Sequence, residues 1–148
     1  MSPGRYRTLN TLLFIGTTIL VVTAAVLEPD PSGIGTHVQL GLGACVFLEY
    51  SGLPCPACGW TTSFALVAKG QVITAWLTQP FGMILAVSTG VGMIVSGMEA
   101  VSPRDRWALF HACFKARETQ FVRLLFAAMF AAWAFKITQK VIFLSPAA

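Results

Sequence analysis

Three cysteines stand close together in this sequence, and two of them form a C-x-x-C pair: Cys45, then Gly52-Leu53-Pro54-Cys55-Pro56-Ala57-Cys58-Gly59-Trp60-Thr61-Thr62. Thiols at that spacing can close one disulfide or share one metal ion. Pro56 and Gly59 favour the tight turn that brings the two sulfurs together. Thr61 or Thr62 can cap a helix running to about Lys69. A cysteine at the start of that helix would have its thiolate favoured by the helix dipole, which lowers its pKa.

Three chemistries are open to this set. A structural disulfide would join Cys45 to Cys55 or Cys58, or close within the motif pair. A thiol–disulfide relay would use Cys55 to attack, Cys58 to resolve and Cys45 to pass the oxidising equivalents on. A metal site would take Cys55, Cys58 and Cys45, with His37 the best candidate for a fourth ligand and zinc the natural ion, because Cys-Pro-x-Cys-Gly has the form of a zinc knuckle. No other catalytic set stands beside these: there is no Ser-His-Asp order, no phosphate-cradling glycine loop and no pair of intramembrane carboxylates. Glu49 is the acid next to the motif and is expected at the water interface. His111 and Cys113 are expected to be structural.

The elements that must hold these residues are membrane helices. Only 11% of the 148 residues are charged and 55% are apolar, with a mean hydropathy of +0.71, and a soluble domain would carry about 25% charge. Residues 8–27 and 80–98 are charge-free, and 121–144 is apolar apart from Thr138, Gln139 and the cations Arg123, Lys136 and Lys140. Each is long enough to cross about 30 Å of hydrocarbon. The stretch 31–70, with its glycines, Pro54 and Pro56, does not read as an uninterrupted span. It suits a short interfacial helix and a bent, partly re-entrant segment covered by protein, which makes a fourth span the alternative.

Charge sets the orientation. Arg5 and Arg7 precede the first span, and Arg104, Arg106, Lys115, Arg117 and Arg123 lie between the second and third. The stretch 28–79 has only Lys69. The positive-inside rule therefore puts the N-terminus in the cytoplasm and the cysteines outside. Lys136 and Lys140 dissent, and are expected to meet lipid headgroups. A cleaved signal peptide ending near Val22-Thr23-Ala24 is the alternative for the first span, but its apolar run exceeds the ~7–15 residues of a signal core. No basic cluster is interleaved with aromatics, so nucleic acid is not an expected partner.

Small residues suggest how the spans associate. Gly82, Ala86 and Gly90 recur every four residues, with Gly92 and Ser96 on a neighbouring stripe, and Ala127 with Ala131 and Ala128 with Ala132 offer a matching face. These faces suit packing within the chain or against partner subunits. The linker 103–118, opening at Ser102-Pro103-Arg104-Asp105 with Trp107, Phe110 and Phe114 at near-helical spacing, reads as an amphipathic helix on the inner membrane surface.

Around the motif the sequence resembles a family of small bacterial membrane proteins classified only as a domain of unknown function. Its signature is an upstream Cys, Gly-x-x-Cys-Pro-x-Cys-Gly-x-Thr-Arg, a Gly-Asp turn and an Asn-Pro opening the next span. Cys45, Gly52, Cys55, Pro56, Cys58, Gly59 and Thr61 match it, as do Gly70 and Pro80, and the resemblance covers about residues 42–98. Thr62, Gln71 and Gln79 stand where the family has Arg, Asp and Asn. The resemblance implies the architecture and a divergent member retained as a scaffold; it brings no established reaction.

The expectation is thus an all-α integral protein of a bacterial inner membrane, a single transmembrane domain over 1–148. Its leading role is a non-enzymatic accessory or scaffold subunit of a larger membrane complex, with the cysteine loop locked by a disulfide or a zinc ion. The enzymatic rival is a membrane thiol–disulfide oxidoreductase. The lipid bilayer and membrane-protein partner subunits are the expected partners.

Overall fold

A computed structural model describes residues 3–104, 106, 112, 115 and 117–144. Among these residues the structure is all helical. Three helices are long and apolar enough to span a membrane: α1 (Pro3–Val26), α5 (Pro80–Val101) and α6 (Glu118–Leu144). Between α1 and α5 lie a 3₁₀ helix (Thr36–Leu40) and the short helices α2 (Val46–Ser51), α3 (Trp60–Ala68) and α4 (Val72–Thr78). The expected amphipathic linker helix, with Trp107, Phe110, His111, Cys113 and Phe114, lies mostly outside the described residues.

Among the described residues, helices α1 and α5 form the most extensive interface. It can be close because Gly97 has no side chain: a Cβ there would stand 3.0 Å from the Phe14 ring. The interface is tied where α1 begins. Glu99, fully buried on α5, accepts from the Tyr6 hydroxyl at 3.1 Å, from the backbone N–H groups of Arg104 and Arg106 at 2.9 and 2.8 Å, and from the Arg106 guanidinium at 3.0 Å. Arg7 adds a bond to the Ala100 carbonyl at 3.2 Å.

At the other end, α3 and α4 form a hairpin folded against α1 and α5. Its turn uses Gly70 at φ +76°, a left-handed conformation that glycine adopts without steric cost. The Ser63 hydroxyl reaches the carbonyls of Ala75 and Gln79, both at 3.3 Å, which locks the hairpin. Gln79 then ends α4 and starts α5: its side chain accepts from the Gly82 N–H at 3.1 Å, and Pro80 fills the first helical turn where an N–H is dispensable. Gly82 lets α5 approach α3, since a Cβ would lie 3.1 Å from the Trp60 Cα. Phe81 stacks against Trp60 with ring centroids 5.5 Å apart.

Helix α6 differs from the rest. Most of its apolar side chains, including Leu124, Phe126 and Phe130, are exposed, as a lipid-facing helix requires. Only Ala132 and Lys136 are buried among its described side chains. An apolar cleft of about 350 Å³ separates α6 from α4 and α5, lined by Trp76, Pro80, Phe81 and Ile84 on one side and by Ala128, Ala131, Ala132 and Phe135 on the other.

The small-residue positions are used unequally. Gly82 faces α3 and Ala86 is buried, whereas Gly90 and Gly92 have open space where a Cβ would point. Ala127 and Ala131 are exposed.

Candidate metal centre

The cysteine site is built from two helix starts and one turn. Cys45 is the residue at which α2 begins, and Gly52, at φ +68°, ends that helix so that the chain can turn back. Pro54, buried, leads into the C-P-A-C turn, in which the Cys58 N–H bonds the Cys55 carbonyl at 3.0 Å. Gly59 at φ +93° opens α3. The turn thus has the geometry expected from Pro56 and Gly59. The cap does not: α3 starts at Trp60, and Thr62 is buried in its first turn, sharing a 2.9 Å hydrogen bond with Thr36 of the 3₁₀ helix. Thr62 thus joins two elements through a pair of hydroxyls.

The result is a cluster of three unbonded thiols, Cys45, Cys55 and Cys58, whose sulfurs all lie within 4.8 Å of one another. Cys58 Sγ accepts from the Cys55 N–H at 3.2 Å and from the Cys55 thiol at 3.3 Å. Four-coordinate zinc with Zn–S bonds of about 2.3 Å holds its sulfurs about 3.8 Å apart, so small shifts would bring these three to corners of such a tetrahedron. They could hold a metal ion. His37, on the 3₁₀ helix, is half-buried and does not join the cluster, and neither does Glu49.

The electrostatics correct the sequence reading of which cysteine is activated. Burial pushes the Cys58 thiol up to about 12, with the Cys55 thiol also contributing. Cys58 precedes α3 by two residues and is too enclosed to gain from that helix. Cys45 is the thiol held below its ordinary value, chiefly by the backbone N–H of Leu48 in the first turn of α2. The principle that an amide at a helix start favours a thiolate applies, but to the other helix.

The most informative residues of the site were not read from the sequence as belonging to it. Trp133 Nε1 donates to the Pro54 carbonyl at 2.7 Å, and Lys140 Nζ to the Gly52 carbonyl at 2.6 Å. Lys136 Nζ donates to the carbonyls of Gly33 and Thr78 at 3.2 and 3.0 Å, and Gln139 to that of Leu77 at 2.8 Å. The lysines expected at lipid headgroups instead brace the cysteine loop. The signal was present in their spacing: 133, 136 and 140 fall on one helical face. Gln79 completes the brace from α5, donating to the Pro56 carbonyl at 3.2 Å.

The fold and the thiol cluster together define an all-helical membrane protein with a braced cysteine centre. Residues 45–93 match a family model described as a protein of unknown function (DUF2752), which spans the three cysteines of the cluster and the first part of α5, about a third of the chain. No curated protein and no solved structure matches the chain.

Proposed function

We propose that this chain is a small polytopic scaffold subunit of a bacterial inner membrane, its cysteine loop locked by a zinc ion on Cys45, Cys55 and Cys58. The observation that carries the reading is the convergence of three sulfurs within 4.8 Å. A staple needs only two thiols, and a third brought to the same point is what a metal ion uses. The open positions beside Gly90 and Gly92 and the exposed Ala127 and Ala131 support contact with partner subunits. The cation distribution supports an N-terminus in the cytoplasm with the centre on the outer side.

Native mass spectrometry of the detergent-purified protein, with thiol alkylation before and after acidification, tests the metal. One zinc per chain, with three cysteines protected until the metal is released, is the expected result. A protein two mass units short would mean a disulfide, and full alkylation without acid would exclude both. Stoichiometric partners in the same preparation are the expected result for the scaffold role; a stable lone monomer would oppose it.

One observation favours the oxidoreductase alternative: accessibility falls from half-buried Cys55 to buried Cys58, the order that an attacking and a resolving thiol require. Cys55 thiolate would attack a substrate disulfide, releasing one substrate thiolate. Cys58 thiolate would then displace the second, leaving a reduced substrate and a Cys55–Cys58 disulfide. Cys58→Ser should then accumulate mixed disulfides and Cys55→Ser none.

A further inference from the structure

Lys136 is 7% exposed, and among the described residues no carboxylate pairs with it. Its ammonium touches two carbonyls, of Gly33 and Thr78. Such dipoles orient a cation but do not cancel its charge. Burying an ammonium is costly unless an anion answers it, and an unanswered one is rare in a membrane helix. The surroundings are shaped to admit it: a Cβ on Gly33 would stand 3.0 Å from Nζ, and one on Gly59 3.4 Å. Both glycines have positive φ, +69° for Gly33 and +93° for Gly59. The ammonium therefore lies beside the Cys58–Gly59 peptide.

We propose that Lys136 is the counter-charge of the metal centre, a positioning residue whose ammonium balances the negative charge that three thiolates leave on a divalent cation. The inference rests on the metal reading given above. A divalent ion with Cys45, Cys55 and Cys58 as thiolates carries one net negative charge, and one ammonium neutralises it. Neutrality then requires the fourth ligand to be uncharged, as a water molecule is, rather than a fourth thiolate or a carboxylate. A compact ammonium suits this slot better than a guanidinium, because the space between Gly33 and Gly59 is narrow and the charge must be concentrated.

A purely structural clamp and a counter-charge predict opposite results when the charge is removed. Lys136→Gln keeps an N–H donor for the carbonyls but loses the charge. The probe is Co²⁺, titrated into the metal-free full chain in detergent, read by its thiolate charge-transfer absorption and by competition with a chelator. A ten- to hundredfold loss of Co²⁺ affinity is expected, the range for outer partners of a metal site, together with an unchanged or raised melting temperature of the metal-free protein. Lys140→Gln, which removes an exposed brace, should leave the affinity within about threefold. Equal affinity in wild type and Lys136→Gln overturns the inference while leaving the metal centre standing. Loss of stability, or failure to fold, in metal-free Lys136→Gln also overturns it, because that is the mark of a clamp. A wild-type chain that binds no Co²⁺ overturns the metal reading itself, and the counter-charge with it.

Discussion

Two charges are buried in the described part of this chain, near opposite ends of the bundle, and their surroundings differ in kind. Glu99 is met by a guanidinium, a phenol and two backbone N–H groups, so its charge is fully answered within the fold. Lys136 is met by two carbonyls and by no acid among the described residues. The first arrangement is complete as it stands and serves to fix α1 against α5. The second is incomplete in charge and points to an anion formed nearby. The Cys58–Gly59 peptide lies beside it, and thiols become anionic most readily on a metal.

Glu99→Gln is expected to give the largest loss of melting temperature of any substitution considered, because it removes the buried charge that the Arg106 guanidinium, the Tyr6 hydroxyl and two backbone N–H groups meet. Metal-free Lys136→Gln should show no such loss, and equal losses in thermal denaturation would end the contrast. Next in size, Gly59→Ala should destabilise by at least ~2 kcal/mol and lower metal occupancy, since its φ of +93° is strained for alanine and its Cβ would stand 2.9 Å from the Gly33 carbonyl. Trp133→Phe keeps a ring but removes the donor to Pro54; a loss of about 1 kcal/mol and faster alkylation of Cys55 in the metal-free protein are expected. The smallest effect belongs to Gly90→Ala. With nothing within 4 Å of the new methyl group, it should gain up to about 1 kcal/mol from helix propensity. Gly90→Leu is the sharper version, and should release a partner subunit if one packs there.

The spans were legible because hydrocarbon imposes a length and a composition that the sequence displays directly. Pro80 as a helix start and Gly59 as a turn residue were also legible, since each follows from the conformations open to one residue type, whereas Gly70 came only from the family resemblance. The convergence of Cys45 on the Cys55–Cys58 pair was visible only as proximity in sequence; that Cys45 begins a helix depends on where Gly52 ends it. His37 could not be assigned from spacing, because the 3₁₀ helix directs Thr36, not its neighbour, into the core. Lys136 and Lys140 were misplaced for a physical reason. A cation near a helix end can reach water or fold inward, and the choice depends on carbonyls that are distant in the chain.

That distance has a consequence for how the protein is made. The residues that brace the cysteine loop follow their partners by 79 residues for Trp133, 88 for Lys140 and 103 for Lys136 and Gly33. At a synthesis rate of about 5–20 residues per second, the thiols precede their brace by several seconds or more. During that interval the loop can take up or exchange a ligand, and arrival of the helical face at 133–140 then closes it. Assembly of the centre is thereby coupled to insertion of α6, so that a chain whose final span failed to enter the bilayer would carry an open, reactive thiol cluster as its signature.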